Sequence, residues 1–217
     1  MHKVIDLPID QYQTLPFIQA VRTKRDVIVL WMNAIKAYLT NDQADGSAFH
    51  ATLSLVVMSM SRLFCELASG EKVFSVAFPF FVRNNDEGLS FHSRGGVEID
   101  HRVSSQVLML IEGNGILEVS DFSAFIDPLI ESADIDERLW SFMRELMVAE
   151  DGYIRYDWDR TRMSGHLHPE YHLDFYYSSA GTFKLGLEGA LDRGRLISIL
   201  DVGVDCHYLV PAQPPKR

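Results

Sequence analysis

The sequence predicts an α+β fold in which N-terminal helices pack on a mainly antiparallel twisted sheet that ends in a C-terminal three-stranded meander. Apolar residues recur at helical spacing in the first seventy residues, whereas apolar and polar residues alternate from Gly152 to about Asp205. Helices and strands therefore fall into separate blocks, which is typical of this fold class. With 217 residues and 47% hydrophobic composition, we expect a single domain over 1–210 and a flexible tail over 211–217.

Helices are expected in two parts of the chain. The first helix is predicted over 26–39, where apolar side chains form one stripe. A second, long helix is predicted over 47–70, with a serine as its N-cap and methionine and aromatic residues along its buried face. Two further helices are expected after the first strands, one beginning after Ser120 or Asp121 and one over 134–150.

Strands are expected between these helices. The segments 72–82 and 88–93 are rich in aromatic and β-branched residues and flank a turn-rich connection, which predicts a hairpin. Pro79 lacks a backbone N–H, so it indicates an edge or a bulge in the first of these strands. A third strand is predicted over 102–112.

The composition limits the classes of partner. The net charge of −10 opposes nucleic-acid binding, which uses basic surfaces to neutralise phosphates, but the local arginines of 155–162 keep such binding open. No apolar run reaches the length of a membrane span, and the N-terminus lacks the apolar region of a secretory signal. Cys65 and Cys206 are therefore expected to be reduced thiols of a cytoplasmic protein.

The segment GHLHPEYHLDFYY, residues 165–177, concentrates candidate functional residues. Its odd positions are mostly apolar and its even positions polar, and successive side chains of a strand point to opposite faces. The preceding segment 153–159 alternates in the same way, so we expect two adjacent strands that share a polar face. Pro169 indicates an edge or a bend.

The expected hairpin loops set the register of this meander. A six-residue loop would place Asp157 opposite His168, and a three-residue loop closed by a glycine would place Asp174 opposite Gly186. The second register would also place His172 opposite a glutamate. The expected polar face comprises Arg155, Asp157, Asp159, His166, His168, Glu170, His172, Asp174, Lys184 and Glu188.

Histidines and carboxylates on this face are candidate ligands of zinc or another divalent metal. The candidate metal ligands are His166, His168, His172 and Asp174. Residues 166–174 span about 26 Å when extended, so one ion cannot contact them all. Two sub-sites are therefore expected. These are His166 and His168 with Asp157 or Asp159, and His172 and Asp174 with Glu188, to which the segment Asp205–His207 could add a ligand.

The same face has other interpretations. Without a metal, His168, His172 and Asp157 could carry acid–base catalysis, and Arg155, Arg160 and Arg162 could bind an anionic substrate. Alternatively, the face is a solvated surface whose histidines bond to carboxylates on neighbouring strands. No Cys-x-x-Cys, His-Glu-x-x-His or nucleophile-elbow motif occurs in the sequence to decide between them.

The residues Arg155-Tyr156-Asp157, followed by His168-Pro169-x-x-His172-Leu173, resemble a pattern found in a bacterial protein family of unknown function. The resemblance covers roughly a fifth of the chain. It implies a bacterial cytoplasmic protein and brings no established activity. It also implies that Asp157, His168 and His172 matter more than His166 or Asp174.

Two functions are compatible with the sequence. The first is a binding component of a bacterial cytoplasmic complex, in which the polar face docks a protein partner. The second is a hydrolase, metal-dependent or based on a histidine–carboxylate pair, that acts on a phosphoester. The first predicts a flat, exposed face, and the second predicts a bound divalent metal or a pocket. Without a complete catalytic constellation, the sequence favours the first.

Overall fold

The computed structural model describes residues 3–85, 88–113, 137–164, 167–178 and 181–207. The helices in these ranges are α1 (Gln11–Thr14), α2 (Lys24–Thr40), α3 (His101–Gly113), α4 (Glu137–Val148) and α5 (Arg193–Leu200). The strands are β1 (Lys3–Ile9), β2 (Ala51–Val57), β3 (Arg62–Leu67), β4 (Lys72–Ala77), β5 (Phe81–Asn85), β6 (Gly88–His92), β7 (Ile154–Trp158), β8 (Tyr171–Ser178) and β9 (Gly181–Gly186).

Seven of these strands form one antiparallel sheet with the order β1-β2-β3-β4-β7-β8-β9. The other two, β5 and β6, pair with each other in a separate hairpin. Strands β7, β8 and β9 are neighbours both along the chain and in the sheet. The predicted α+β class with a C-terminal meander is therefore confirmed.

Helices α2, α3 and α4 contribute to the main apolar core on one face of the large sheet. Trp31 of α2 and Phe142 of α4 belong to the same buried cluster as Phe74 and Val76 of β4. The indole N–H of Trp31 also donates a hydrogen bond to the carbonyl oxygen of Ala77 at 2.6 Å. The helix predicted over 26–39 is confirmed as α2, which begins after the N-cap Thr23.

Helix α5 belongs to a second buried cluster, on the other face of the sheet. Its Leu196 is buried with Val73 of β4, Tyr156 of β7 and Leu173 of β8. Because Val73 and Phe74 are successive residues of one strand, their side chains point to opposite faces. The central strands are therefore buried on both sides.

The long helix predicted over 47–70 is wrong, because this segment forms strands β2 and β3. Leu53 and Leu55 face the main core, whereas Val56 and Phe64 face the α5 side. A strand that is buried on both faces has no polar side to reveal its period of two. The spacing of its apolar residues therefore also fits a helical stripe.

The strand predicted over 102–112 is also wrong, because residues 101–113 form α3. Val103, Val107 and Ile111 fall on one face at intervals of four residues, and Val107 and Ile111 are fully buried. Asp100 marks the helix start, since its Oδ1 accepts a hydrogen bond from the backbone N–H of Val103 at 2.7 Å. The serine and β-branched residues favoured a strand. The helical spacing of the buried side chains and the N-terminal cap at Asp100 instead determine a helix.

The strand predicted over 72–82 is divided between two sheets. β4 ends at Ala77, Phe78, Pro79 and Phe80 lie between the strands, and β5 begins at Phe81. Pro79 was predicted to mark an edge or a bulge within one strand, and it lies instead in the connection between two strands. The predicted hairpin with 88–93 is confirmed as β5–β6. Helix α4 confirms the described part of the helix predicted over 134–150, whereas the helix expected after Ser120 or Asp121 lies outside the described residues.

The C-terminal part differs from the expected run of strands. Residues 193–200, inside the segment predicted to alternate as strands, form α5, which begins at the N-cap Asp192. The division into one domain over 1–210 and a tail over 211–217 stays a prediction. No helix within the described ranges has the length and apolar character needed to cross a membrane.

Burial separates the two thiols chemically, which can be tested directly. Cys65 and Cys206 are both free; Cys65 is buried in β3, and Cys206 is exposed. Burial raises the pKa of the Cys65 thiol to about 12. We expect one thiol to react rapidly with a disulfide reagent in the native protein and the second only after unfolding. Cys206→Ser should abolish the rapid reaction, and two rapid thiols would contradict the burial of Cys65.

Candidate functional site

The meander brings together residues that the predicted registers kept apart. Asp157 pairs with His172 and not with His168, and Asp174 pairs with Lys184 and not with Gly186. Both predicted registers are therefore wrong. In both cases the observed pairing is shifted from the predicted pairing by an even number of residues. Each side chain therefore still lies on the predicted face of the sheet. Arg155 on β7 lies opposite Asp174 on β8.

The first register differs because the β7–β8 connection is longer than six residues. Asp159 Oδ1 accepts hydrogen bonds from the backbone N–H groups of Thr161 and Arg162, which turns the chain directly after β7. Ser164 then forms an isolated bridge with His168, and β8 begins only at Tyr171. His168 consequently lies in the loop and not in the strand.

Arg155 links the two central carboxylates. Its Nε donates to Asp157 Oδ2 at 2.8 Å, and its Nη2 donates to Asp174 Oδ2 at 2.6 Å. The same Nη2 lies 2.7 Å from Asp157 Oδ2. Burial opposes the charge of Arg155, but the two carboxylates outweigh it and raise the pKa of the guanidinium. The arginine is therefore a fixed cation between two fixed anions.

His172 is oriented by its two ring nitrogens. Nδ1 lies 2.9 Å from the carbonyl oxygen of Pro169, which can only accept, so Nδ1 carries the proton. Nε2 then presents a lone pair to the ammonium of Lys184 at 3.0 Å. Burial, and next the charge of Lys184, lower the pKa of His172. The imidazole is therefore neutral near pH 7.

Lys184 completes a balanced set of charges. Its Nζ donates to Asp174 Oδ1 at 2.6 Å as well as to His172. With Arg155, it supplies two positive charges for the two carboxylates of Asp157 and Asp174. The His172 side chain is only 1% exposed, and both aspartates are buried. The two carboxylates and the imidazole are therefore buried within an ionic network, and the interpretation as a solvated sheet face is wrong for these three residues.

A second imidazole–carboxylate pair lies beside this centre. His168 Nε2 lies 3.2 Å from Asp159 Oδ2, and the rings of His168 and His172 have their centroids 4.7 Å apart. The backbone N–H of Arg162, together with His168 and Thr161, holds the pKa of Asp159 well below its usual range. An ionised Asp159 orients His168 with Nε2–H toward it, which leaves Nδ1 for another contact.

The other predicted site residues are dispersed. Arg162 pairs with Asp159 beside the centre and is 79% exposed. Arg160 stacks on the ring of Trp158, which points to the opposite face of β7 from Asp157. Glu188 is exposed beyond the end of β9, and His166 lies outside the described residues. The segment 205–207 is exposed, and its His207 lies 3.0 Å from Ser198 Oγ on α5.

One predicted metal sub-site has most of its ligands in one place. Among the described residues, Asp157, His172 and Asp174 each offer a ligand atom within 4.8 Å of the other two. The second sub-site was predicted to contain His172 and Asp174, but its expected third ligand Glu188 is replaced by Asp157. Of the first sub-site, the described part of the chain brings together His168 and Asp159, and His166 lies outside it.

Lys184 is the residue whose role the sequence interpretation missed. The alternation of β9 placed it on the polar face, but the wrong register put Gly186 opposite Asp174 in its place. The charge balance could have identified it, because two neighbouring buried aspartates require two cations and Arg155 supplies one. The carbonyl of Pro169, which orients His172, carries no sequence signal.

Comparison of the chain with protein-family models, with curated proteins and with solved structures gave no match. The class of protein is therefore defined by its fold and its site alone. It is an α+β protein in which two buried aspartates and a buried histidine are paired with a partly buried arginine and a more exposed lysine, on strands β7, β8 and β9. The resemblance to a bacterial family stays a prediction.

The neutral state of His172 predicts a pH dependence of folding. Its pKa is lower in the folded protein than the ordinary value of 6.5, so the unfolded chain binds this proton first as the pH falls. The free energy of unfolding should therefore decrease below pH 6.5, by at most about 1.4 kcal/mol per pH unit from this group. Urea denaturation of the metal-free protein at pH 7.5 and 5.5 measures the loss.

His172→Asn removes the titrating group and keeps a donor near the Pro169 carbonyl. We expect this variant to lose less stability between the two pH values than wild type. His50 is exposed, so His50→Asn is a matched control that should behave as wild type. Equal losses in all three proteins would contradict a neutral, buried His172.

Proposed function

We propose that this protein is a divalent-metal-dependent hydrolase that acts on a phosphoester, with Asp157, His172 and Asp174 as its metal ligands. One observation carries the proposal, namely the convergence of these three buried side chains on one point. Two carboxylates and one imidazole are a ligand set suited to zinc or manganese. A metal held in this way activates water for hydrolysis.

The distances fit a single ion. Two ligand atoms bound at about 2.1 Å from one ion can lie at most about 4.2 Å apart. His172 Nε2 lies 3.7 Å from Asp157 Oδ2 and 4.0 Å from Asp174 Oδ1. These two separations are inside this limit, and all three ligand atoms lie within 4.8 Å of one another, so side-chain movements would have to bring them together on one ion.

The surroundings of the ligands also support a metal centre. Histidine ligands usually donate their other ring N–H to a carbonyl or a carboxylate, as His172 does to Pro169. This contact selects the tautomer whose Nε2 lone pair faces the aspartates. Arg155 similarly fixes both carboxylates through their Oδ2 atoms, which leaves Asp174 Oδ1 directed toward His172 and Lys184.

The neighbouring side chains account for the substrate class and the proton transfer. His168 is partly exposed and is oriented by Asp159, so we assign it the role of general acid or base beside the metal. Arg162 and Lys184 provide positive charge at the solvent side in a protein with a net charge of −10. Local positive charge attracts a phosphoester against the repulsion of the whole molecule.

Burial of the centre favours this function over the docking face that the sequence favoured. Asp157, His172 and Asp174 are buried and already paired within the network, so a docked partner could reach these three side chains only by displacing their present partners. The hydrolase requires only that an ion and one substrate group reach the centre. The preference between the two hypotheses is therefore reversed.

A different surface supports the second proposal, a binding component of a bacterial cytoplasmic complex. A groove of about 860 Å³ lies between the β2–β3 turn, the β4–β5 connection and the end of α4. Met60, Phe81 and Val148 line it and are strongly exposed. Exposed apolar side chains around a groove are typical of protein-binding surfaces.

The hydrolase proposal predicts metal-dependent activity. Wild type should bind Mn²⁺ in calorimetry and hydrolyse bis(p-nitrophenyl) phosphate only with the metal present. Asp157→Asn and His172→Asn should reduce both Mn²⁺ affinity and kcat/KM, the latter by about 100-fold or more, because each removes a ligand. His168→Ala should lower kcat by about 100-fold with unchanged Mn²⁺ affinity, because it removes only the proton-transfer group.

His50→Ala, on the exposed surface, is the matched histidine control and should retain full activity. Circular dichroism should show folded protein for every variant used. The hydrolase is excluded if wild type binds Mn²⁺ without hydrolysis, or if Asp157→Asn hydrolyses the substrate as fast as wild type.

The binding proposal predicts a partner that depends on the groove and not on the metal centre. Val148→Glu places a charge on a side chain that is 82% exposed, so it should disrupt docking without unfolding the protein. Affinity purification from the native host, followed by mass spectrometry, should recover the partner with wild type and Asp157→Asn but not with Val148→Glu. Identical recovery with all three baits would contradict this assignment.

A further inference from the structure

The position that a metal would take is close to that of a side-chain cation of the protein itself. Lys184 Nζ lies 2.6 Å from Asp174 Oδ1 and 3.0 Å from His172 Nε2, which are two of the three ligand groups. The His172 Nε2 atom has a single lone pair, so it cannot accept from the ammonium and bind an ion at the same time. The ammonium and a metal are therefore mutually exclusive at this atom.

We propose that Lys184 is an internal competitor of the metal, which occupies the cation position until a divalent ion displaces it. This inference rests on the proposed metal centre and describes how that centre is regulated. In the metal-free state, Lys184 neutralises Asp174 and keeps the enclosed network at zero net charge. An ion must replace this ammonium before it can contact both Asp174 and His172.

Lys184 is better placed to leave than Arg155. Arg155 bonds to both carboxylates and its side chain is 18% exposed, whereas the Lys184 side chain is 32% exposed. Lys184 also lies on β9, the strand at the edge of the seven-stranded sheet. Its long, flexible side chain can move its ammonium into solvent without a backbone change.

Charge balance favours entry of a divalent ion when the Lys184 ammonium leaves and opposes entry when the ammonium stays. With Lys184 displaced, the two aspartates and Arg155 leave one net negative charge, which attracts a divalent cation. If the ammonium stayed, the cation would enter a neutral network and meet two positive side chains. Removal of the lysine charge should therefore strengthen metal binding, whereas removal of a ligand should weaken it.

Calorimetric titration with Mn²⁺ alone tests this inference. Lys184→Met removes the charge and keeps an apolar side chain of similar length, so the Kd should fall at least about tenfold, because the ion no longer has to break the hydrogen bonds of a competing ammonium. Lys184→Arg keeps a competing cation and should not tighten binding. Lys36→Met removes one positive charge from α2, where the ammonium bonds to Ser105 Oγ and not to the metal ligands, and should bind as wild type.

A measurement on wild type avoids dependence on the folding of variants. An amine-acetylating reagent followed by mass spectrometry reports how accessible each lysine is. Lys184 should be acetylated slowly in the metal-free protein and faster when Mn²⁺ is saturating, because the ion releases its ammonium. The exposed Lys3 serves as the internal reference, and its rate should not change.

The outcomes separate this inference from the metal centre itself. Tighter Mn²⁺ binding by Lys184→Met, together with metal-dependent acetylation of Lys184, supports both. Equal Kd values for wild type and Lys184→Met, or acetylation that Mn²⁺ does not change, overturns the competition while the metal centre stands. Absence of Mn²⁺ binding in wild type and in Lys184→Met overturns both.

Discussion

The buried contact of Arg155 with Asp157 and Asp174 constrains the C-terminal half of the sheet. Enclosed charges are costly unless they are paired, so these three side chains must meet. Arg155 and Asp157 share one face of β7, and Asp174 lies opposite Arg155 on β8. A register slip by one residue would place the aspartate among the apolar side chains under α5. The ionic contact and the apolar layer therefore select the same register.

The β7–β8 loop is held over the centre by local contacts. Asp159 turns the chain and also orients His168, and the Pro169 carbonyl orients His172. This path brings the Pro169 ring against β9, where a Cβ at Gly186 would lie 3.0 Å from the ring. Any larger residue at this position would therefore press on the Pro169 ring, which would have to shift by a few tenths of an ångström. The pairs Asp159–His168 and His172–Pro169 consequently depend on one backbone path.

Much of the fold and of the site could be predicted from the sequence, but not the pairing. Alternation identified β7, β8 and β9 and assigned Arg155, His172 and Asp174 to one face, because a half-polar strand displays its period. Alternation shows which face a side chain lies on, but strand registers that differ by two residues give the same alternation. The turn at Asp159, which lengthens the β7–β8 connection, is also not visible in the residue pattern. The cross-strand partners predicted for Asp157 and Asp174 were therefore wrong. The prediction for 47–70 failed because an apolar segment does not distinguish a doubly buried strand from a helix. The prediction for 102–112 failed because β-branched residues were given more weight than the helical spacing of the buried side chains.

Stability alone is a weak explanation for this centre. Replacement of a buried ionic network by packed apolar residues is often neutral or stabilising, so such a network does not of itself strengthen a fold. The same face of the sheet is apolar at Phe74 and Val76 and becomes ionic at β7. Lys184, the most exposed of the network's charged groups, also bonds to a neutral imidazole, which requires no cation. Lys184 occupies a cation position from which its ammonium can leave, and the Pro169 carbonyl fixes the tautomer of His172. Both features are more readily explained by a role in ion binding than by a contribution to the stability of the fold.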